Sequence, residues 1–196
     1  MDFGKSEVEN IENRYTLLAG IDEVGRGPIA GPVLACAIIM PKAEKIAGIC
    51  DSKKLSEKKR EALYPKILEA SLACGLGWVF QEEIDQINIR QATLKAMQIA
   101  YLQMEKTLIP DMVVIDYERL DLPVKSLCLP KADDLFYCVS CASIVAKVTR
   151  DHYMMEYGKS YPAYQLEKNK GYGTKAHYEA IRKYGLLPIH RKTFIH

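Results

Sequence analysis

Short apolar runs alternate with amphipathic segments along the chain of 196 residues. Five of these runs are too short for typical helices and predict buried strands at 17–21, 33–40, 74–80, 112–116 and 124–129. Apolar residues at helical spacing predict helices at 57–70, 88–105 and 138–158. Strands that alternate with helices in this way predict an α/β fold.

The polar segments between these elements carry local signals. Ser56 is expected to cap the helix at 57–70, because its hydroxyl can accept a hydrogen bond from the first turn. Residues 41–55 are expected to form a polar loop, and the polar residues 1–14 are expected to be frayed or loosely packed.

The first two apolar runs enclose the most unusual segment of the chain. The first run leads directly into two adjacent carboxylates, Asp22 and Glu23. The connector that follows holds three glycines, two prolines and one arginine, which break regular structure. Its first turn consists of Gly25, Arg26 and Gly27. A strand that ends on two acids beside exposed backbone amides suits a metal ion that bridges to phosphate.

A third carboxylate, Asp116, ends the strand predicted at 112–116. Functional sites in open α/β sheets form at the carboxyl ends of strands, and a buried acid is costly unless it is solvated, protonated or bound to a cation. Alone, Asp116 would as often cap a turn. Together with Asp22 and Glu23 it favours a metal site.

The charge of the chain is nearly balanced, at +2, so total charge does not indicate a nucleic-acid partner. Basic residues cluster between 167 and 192, however, where Tyr172, Tyr178 and Tyr184 are interleaved with them. Lysines, arginines and aromatic rings in one segment suit contact with phosphates and sugars. Several of these cations could equally lie on a solvated helix.

The composition also bears on location and redox state. No apolar run approaches the roughly 18 residues of a membrane span, and the polar, acidic start of the chain is unlike a signal peptide. We therefore expect a cytoplasmic protein without a membrane partner. The six cysteines are scattered, several within apolar runs, and most are expected to be buried thiols rather than disulfides.

Two short motifs offer alternative functions. Gly25-x-Gly27-x-x-Ala30 formally fits the dinucleotide fingerprint of an oxidoreductase, but that motif needs a helix after the glycines, and a predicted strand follows here. Cys138 and Cys141 form a C-x-x-C pair. Because no second ligand pair for zinc exists in the sequence, two small residues on a helix entering the core are the favoured interpretation.

Motifs along nearly the whole chain resemble, in order, those of the type 2 ribonuclease H (ribonuclease HII) family. The first is the Asp-Glu pair before Gly-Arg-Gly-Pro, and the next is Asp-Ser-Lys-Lys-Leu at 51–55. Val-Ile-Asp at 114–116 matches the third acid of the family. Lys131-x-Asp133 and the helix after it match the fourth acid, and 170–177 and 190–194 match the C-terminal signatures.

The resemblance implies a ribonuclease H-like mixed β-sheet flanked by helices. It implies one domain over 1–196, with a core at about 15–150 and a C-terminal helical substrate-binding extension at about 151–196. The implied substrates are RNA–DNA hybrids and single ribonucleotides within duplex DNA, cut endonucleolytically to leave a 5′-phosphate. The enzyme is expected to act as a monomer.

The resemblance also implies the site residues. The catalytic metal ligands would be Asp22, Glu23, Asp116 and Asp133. They would bind two Mg²⁺ or Mn²⁺ ions roughly 3.5–4 Å apart, which suit all-oxygen ligands and in-line phosphodiester hydrolysis. The substrate contacts would be Gly25, Arg26, Gly27, Ser52, Lys53, Lys170 and Tyr172.

The chain departs from the family pattern beside the third and fourth acids. Tyr117 and Ala132 stand where glycine is usual, Ser140 and Cys141 stand where small alanines are usual, and Asp134 makes the fourth ligand ambiguous, with motif spacing favouring Asp133. These changes are expected to alter loop shape near the metals rather than remove a ligand. If they spoil the metal geometry, the alternative is an inactive nucleic-acid-binding module of the same fold.

Overall fold

A five-stranded mixed sheet forms the centre of the computed structural model, which describes residues 4–43, 45–50 and 52–195. Its strands are β1 (Leu18–Val24), β2 (Val33–Ile39), β3 (Ala73–Val79), β4 (Met112–Asp116) and β5 (Lys125–Leu129). They lie in the order β3-β2-β1-β4-β5. The five strands predicted from the apolar runs are therefore confirmed, with ends shifted by a few residues at most.

Helices connect and cover the strands. They are α1 (Lys5–Arg14), α2 (Glu57–Ala70), α3 (Gln81–Glu105), α4 (Ala132–Leu135), α5 (Tyr137–Lys159), α6 (Leu166–Asn169) and α7 (Lys175–Tyr184). Short 3₁₀ turns occur at Ser52–Lys54, Pro162–Tyr164 and Lys192–Phe194. Ser56 caps α2 as predicted, because its hydroxyl accepts a hydrogen bond from the Lys59 amide at 3.3 Å.

The sheet is covered on both faces. Strand β2 is buried along its whole length, and its side chains alternate between two cores. Ala35 and Ala37 face the core formed with α3, whereas Cys36 and Ile38 face the core formed with α2 and α5. A strand buried on both sides needs a continuous apolar sequence, and this explains the unbroken run that the sequence shows there.

The pairing of β1 brings two acids to one edge of the sheet. β1 is antiparallel to β2 and parallel to β4, with Ile21 beside Ile115. The next residues along these two strands are Asp22 and Asp116, so both carboxylates reach the same carboxyl edge. The expectation that β1 ends at its acids is wrong by one residue, because Glu23 is still paired with Ala35 and the strand continues to Val24.

Two helical segments differ from the sequence predictions. Residues 5–14 form α1 rather than a loosely packed segment, and Val8 is buried in a core with residues of β1, β4 and α5. Helix α3 begins at Gln81 instead of Asn88, where the backbone turns left-handed at a φ of 67° and kinks the helix. The Asn88 side chain accepts hydrogen bonds from the Arg90 and Gln91 amides, so it caps the second part of this longer helix.

The glycine-rich connector leads into a strand, and this excludes the dinucleotide-binding geometry. Strand β2 follows it directly, whereas a pyrophosphate site requires a helix amino terminus at that point. Cys138 and Cys141 are buried free thiols on α5, as predicted. None of the helices within the described ranges combines the length and the apolar character that a membrane span requires.

The C-terminal segment packs back onto the connector between β1 and β2. The Ile29 and Ala30 amides both donate to the Gly171 carbonyl, at 2.9 and 3.2 Å, and Ala30 forms an isolated bridge with His190. Ala30 also packs in a small apolar core with residues of α5, α6 and α7. Helix α5 runs without interruption through residue 150, so it joins the sheet to this segment.

Candidate active site

Four carboxylates from three parts of the fold face one another. Asp22 and Glu23 lie on β1, Asp116 ends β4, and Asp133 lies in the first turn of α4. Burial and the neighbouring Glu23 raise the pKa of Asp22 well above its ordinary value, and Asp116 and Asp133 raise it further. Asp22 is therefore close enough to each of the other three carboxylates to be repelled by their charge.

Backbone and hydroxyl donors hold these acids in place. The Ala132 amide donates to Asp116 Oδ1 at 2.7 Å, and the Glu23 amide donates to Asp22 Oδ1 at 2.7 Å. The Ser140 hydroxyl donates to the Asp133 carbonyl at 2.6 Å. Ala132 and Ser140 are two of the departures from the family pattern, and both form direct contacts that fix a site residue.

The structure distinguishes Asp133 from Asp134. Asp133 is buried, with only 2% of its surface exposed, and its Oδ2 lies 3.6 Å from the Lys53 ammonium. Asp134 points to the surface, where it pairs with Lys54. The electrostatic contacts of Asp22 include Asp133, which supports Asp133 as the fourth acid of the cluster.

A chain of alternating charges borders the acids. The Arg26 guanidinium lies 3.6 Å from a Glu23 oxygen and 3.4 Å from a Glu118 oxygen, and Arg90 lies 3.5 Å from the other Glu118 oxygen. Burial raises the pKa of Glu23, and the positive charge of Arg26 opposes that rise. Glu118 was not predicted from the sequence, where only its position two residues after Asp116 pointed to the site.

The chemistry of the donors fits a hard divalent cation. All the donor atoms of the cluster are carboxylate oxygens, which prefer Mg²⁺ or Mn²⁺ to softer metals. One of them, Glu23 Oε2, is buried and receives no hydrogen bond from any residue in the described ranges. Among the residues that the structure describes, no three acidic, histidine or cysteine side chains are arranged so that they could hold a metal ion without rearrangement. Arg26 and Lys53 partly neutralise the charge of the acids.

A cavity of about 110 Å³ opens beside Asp22 and Glu23. Its lining brings together five of the predicted site residues, namely Asp22, Glu23, Ser52, Lys53 and Tyr172. Asp51, part of the same predicted motif as Ser52 and Lys53, lies outside the described residues. The cavity therefore joins the first acids to the hydroxyl and basic groups expected to meet a nucleic acid.

Two residues of α5 also line this cavity and were missed from the sequence. The Ser143 hydroxyl lies 2.7 Å from the Ser52 hydroxyl, and its hydrogen bond to Asp22 opposes the rise in pKa of that acid. Lys147, one helical turn further on, has its ammonium 6.0 Å from the centroid of the Tyr172 ring. Ser143 and Lys147 are four residues apart on the helix after the fourth acid, so the sequence could have shown that they share one helix face.

Two fully buried arginines support the turn that follows Glu23. Arg191 donates to four carbonyl oxygens, those of Gly25, Arg26, Pro28 and Gly31, at 2.6–3.1 Å. Arg150 donates to three more, those of Ala30, Pro32 and Lys170, at 2.9–3.0 Å. Burial lowers the pKa of Arg150 to about 10 and that of Arg191 to about 9, so both remain cationic at neutral pH.

This support explains why glycine occupies the turn. Gly25 has a φ of 93°, and a Cβ atom there would lie only 2.4 Å from Arg150 Nε. A Cβ on Gly27 would instead contact Tyr172 Cε1 at 3.8 Å, which places the turn beside that ring. Tyr172 is 43% exposed, so the turn and the tyrosine present one accessible surface next to the acids.

Lys170 is oriented differently from the other predicted substrate contacts. Only 9% of its surface is exposed, and its ammonium donates to the Glu167 carbonyl at 2.6 Å and lies 3.4 Å from Glu57. Its backbone is left-handed, and its carbonyl accepts a hydrogen bond from Arg150. These contacts turn the side chain inward.

The sequence of this chain is similar to those of known proteins. The sequence model of the family described as Ribonuclease HII matches residues 19–196. The chain is 52% identical, over 180 residues, to the ribonuclease HII of Enterococcus faecalis, and the match covers 92% of this chain and 70% of that protein.

Solved structures share the fold. The ribonuclease H2 of Pyrococcus horikoshii superimposes with a TM-score of 0.76 at 25% identity, covering 90% of this chain and 93% of that one. Bst-RNase HIII in complex with Mn²⁺ superimposes with a TM-score of 0.65 at 19% identity, covering 86% of this chain and 63% of that one. The ribonuclease H-like mixed sheet predicted from the sequence is therefore confirmed.

Proposed function

The chain belongs to the ribonuclease HII family and is a ribonuclease H, and from that premise we propose its substrates and chemistry. It cleaves the RNA strand of RNA–DNA hybrids and the 5′ side of single ribonucleotides embedded in duplex DNA, and it leaves a 5′-phosphate. The observation that carries this proposal is the meeting of Asp22, Glu23, Asp116 and Asp133 at one edge of the sheet, beside the accessible Gly27–Tyr172 surface.

The four acids would hold the divalent ions on which the reaction depends. Two bound Mg²⁺ or Mn²⁺ ions would lower the pKa of an attacking water and stabilise charge on the departing oxygen. The all-oxygen donor set and the buried, unbonded Glu23 Oε2 support these four residues as the ligands. The Mn²⁺ complex of Bst-RNase HIII is consistent with this class of cofactor.

The remaining residues of the site orient these acids. The Ala132 amide fixes one oxygen of Asp116, and the Ser143 hydroxyl, linked to Ser52, binds Asp22. Such contacts hold ligands in one arrangement before substrate arrives, which lowers the cost of assembling the site. Lys53, with 79% of its side chain exposed near Asp133, is placed to meet a phosphate of the substrate strand.

Recognition of the ribonucleotide would fall to the turn and the tyrosine beside it. The 2′-hydroxyl distinguishes ribose from deoxyribose, because it both donates and accepts hydrogen bonds. Gly25, Arg26 and Gly27 lie directly after two acids, and the carbonyls of Gly25 and Arg26 are held inward by Arg191. The turn can thus approach a sugar closely, with Tyr172 against the neighbouring deoxyribose.

The chain is proposed to work as a single domain that acts as a monomer in the cytoplasm. The core at about 15–150 would carry the acids, and the helical segment from about 151 would contribute Tyr172 and exposed basic residues to the duplex. Because α5 is continuous across that boundary, the two parts would bind the substrate as one body.

The decisive experiment is cleavage of three matched duplexes by the full chain. One duplex is an RNA–DNA hybrid, one carries a single ribonucleotide, and one is entirely DNA, each with Mg²⁺, Mn²⁺ or EDTA. We expect metal-dependent cleavage of the first two, 5′-phosphate on the products, and no cleavage of the third. Tight binding of the hybrid without cleavage by either metal would instead identify an inactive binding module.

A further inference from the structure

Tyr117 has a backbone conformation that is unusual for an aromatic residue. It directly follows Asp116 and has a φ of 62°, in the left-handed region that bulky side chains rarely occupy. Its amide donates to the Leu129 carbonyl at 3.0 Å, which fixes this conformation where β4 ends beside β5. Glycine would adopt the same conformation without strain, so the backbone alone does not explain a tyrosine here.

The side chain of Tyr117 is not part of the core. It is 61% exposed, more than any other aromatic residue among the exposed side chains of the described ranges. The Arg26 guanidinium lies beside it, 5.6 Å from the ring centroid. Packing in the interior therefore offers no compensation for the strained backbone, and a functional contact becomes the better explanation.

The location of the ring relates it to the site. Arg26 is held between Glu23 and Glu118, so the cation beside the Tyr117 ring has a fixed position. The next residue, Gly27, lies against Tyr172. The turn that follows Glu23 therefore lies beside one exposed tyrosine at Arg26 and beside another at Gly27.

We propose that Tyr117 is a substrate-binding residue that contacts the nucleic acid directly, by packing its ring against a base or sugar of the bound duplex beside the acids. This rests on the proposed function, because it assumes that a nucleic acid occupies this surface. An aromatic face binds any base by stacking, and the neighbouring guanidinium can pair with the adjacent phosphate. Tyr117 would thus extend the substrate surface on the Asp116 side of the site.

A competing role is that Tyr117 only holds Arg26 in place. The two roles differ in their dependence on salt. A tyrosine releases no counterions from DNA, so removing its ring from a direct contact weakens binding equally at all salt concentrations. Displacing an arginine from a phosphate also lowers the slope of log affinity against log salt by about 0.9. Measurement of the slope separates the two roles.

The experiment compares Tyr117→Gly, Tyr117→Asn and Tyr117→Phe in the full chain. Glycine and asparagine both tolerate the left-handed region, so at least one variant without the ring should fold. Gln165→Gly is the matched control, because it relieves another left-handed residue, with a φ of 51°, without removing an aromatic ring. Binding to an RNA–DNA hybrid is measured in EDTA across salt concentrations, with the melting temperature and with KM and kcat in Mg²⁺ or Mn²⁺.

We expect Tyr117→Gly and Tyr117→Asn to melt no lower than the wild type but to bind the hybrid roughly fivefold or more weakly, with an unchanged salt slope. KM should rise by the same factor, while Tyr117→Phe and Gln165→Gly should keep wild-type affinity. Affinity within twofold of the wild type without the ring, or a reduced salt slope, would overturn the direct contact. If the wild type itself neither binds nor cleaves hybrids, the proposed function fails instead.

Discussion

The Nε2 atoms of His177 and His190 lie 3.0 Å apart in the buried junction between α7 and the last segment of the chain. The Leu187 amide lies 2.7 Å from His190 Nδ1, so that nitrogen accepts and His190 Nε2 carries the proton. His177 then accepts at Nε2 and donates from Nδ1 to the Tyr172 carbonyl at 2.9 Å. Two neutral imidazoles thus connect the final segment to the residue expected to meet the substrate.

This relationship predicts that acid destabilises the fold. Burial and the neighbouring His177 lower the pKa of His190 to about 4, and burial lowers the pKa of His177. Both groups take up protons more readily when unfolded, so their contribution is complete above about pH 6.5 and is lost as the pH falls towards 4. We expect the free energy of unfolding to fall by roughly 1–3 kcal/mol over that range because of this pair.

Urea unfolding at a series of pH values measures the effect of the histidine pair. A His177→Asn/His190→Asn variant should be less stable at pH 7.5 but should lose less additional stability on acidification. His152→Gln, at an exposed histidine, is the control for replacing a histidine outside the buried pair. Parallel pH profiles for the wild type and the double variant would contradict the prediction.

Neutralising Asp116 is expected to abolish cleavage while preserving the fold. Asp116→Asn removes one carboxylate from the cluster and relieves repulsion with Asp22, so stability without metal should stay level or rise. Hybrid binding in EDTA should change little. Asp133→Asn should behave similarly, and the adjacent surface residue provides the control, because Asp134→Asn should retain cleavage. Near wild-type cleavage by Asp116→Asn would remove that residue from the site.

Arg191→Met is expected to be among the most destabilising single changes in the chain. It leaves four carbonyl oxygens without their donor, at a cost of at least about 3 kcal/mol. Arg191→Lys should recover only part of this, because one ammonium cannot span the positions of a planar guanidinium. Arg90→Met, which removes an exposed arginine, should cost less than about 1 kcal/mol. Equal losses for Arg191→Met and Arg90→Met in chemical denaturation would refute the structural role.

The lysines of the C-terminal segment are expected to divide into two kinds. Lys168 and Lys175 are exposed, and replacing both with alanine should reduce the salt slope of duplex binding by up to about 0.9 for each phosphate that is no longer neutralised. Lys170→Met should mainly lower thermal stability, because its buried ammonium binds the Glu167 carbonyl. A salt slope that responds to Lys170→Met alone would show that this lysine reaches the substrate after all.

Tyr172→Ala is expected to separate the two substrates. The ring would contact the deoxyribose beside an embedded ribonucleotide, so kcat/KM should fall much further for a single ribonucleotide than for a continuous RNA–DNA hybrid. Arg26→Ala should impair both substrates. Tyr184→Ala, which removes another exposed tyrosine of the same segment, should affect neither. If Tyr172→Ala lowered kcat/KM equally on both substrates, Tyr172 would contact the duplex without distinguishing a single ribonucleotide from a continuous hybrid.

Local patterns in the sequence were sufficient to predict the strands and most of the helices, and to identify the acids that follow the strands. A strand buried on both faces needs an uninterrupted apolar run, and such a run predicted β2. Ser56 predicted the start of α2, because its hydroxyl can cap a helix. Asp22, Glu23 and Asp116 could be named because each stands next to a predicted buried strand. These properties depend on residues a few positions apart, so they can be read along the chain.

Only the tertiary structure shows which residues, far apart in the sequence, form hydrogen bonds and ion pairs with one another. Nothing local distinguishes Arg191, whose partners lie about 160 positions earlier, from an exposed arginine of the basic segment. Lys170 has the sequence context of a surface cation, yet its ammonium binds Glu167 and Glu57. The usual glycine at the position of Tyr117 was the one sign of a left-handed backbone, and it could not show that a tyrosine keeps that conformation. Burial of polar groups and backbone strain arise from packing between segments, and for that reason the sequence could name the acids but not the residues that hold their surroundings in place.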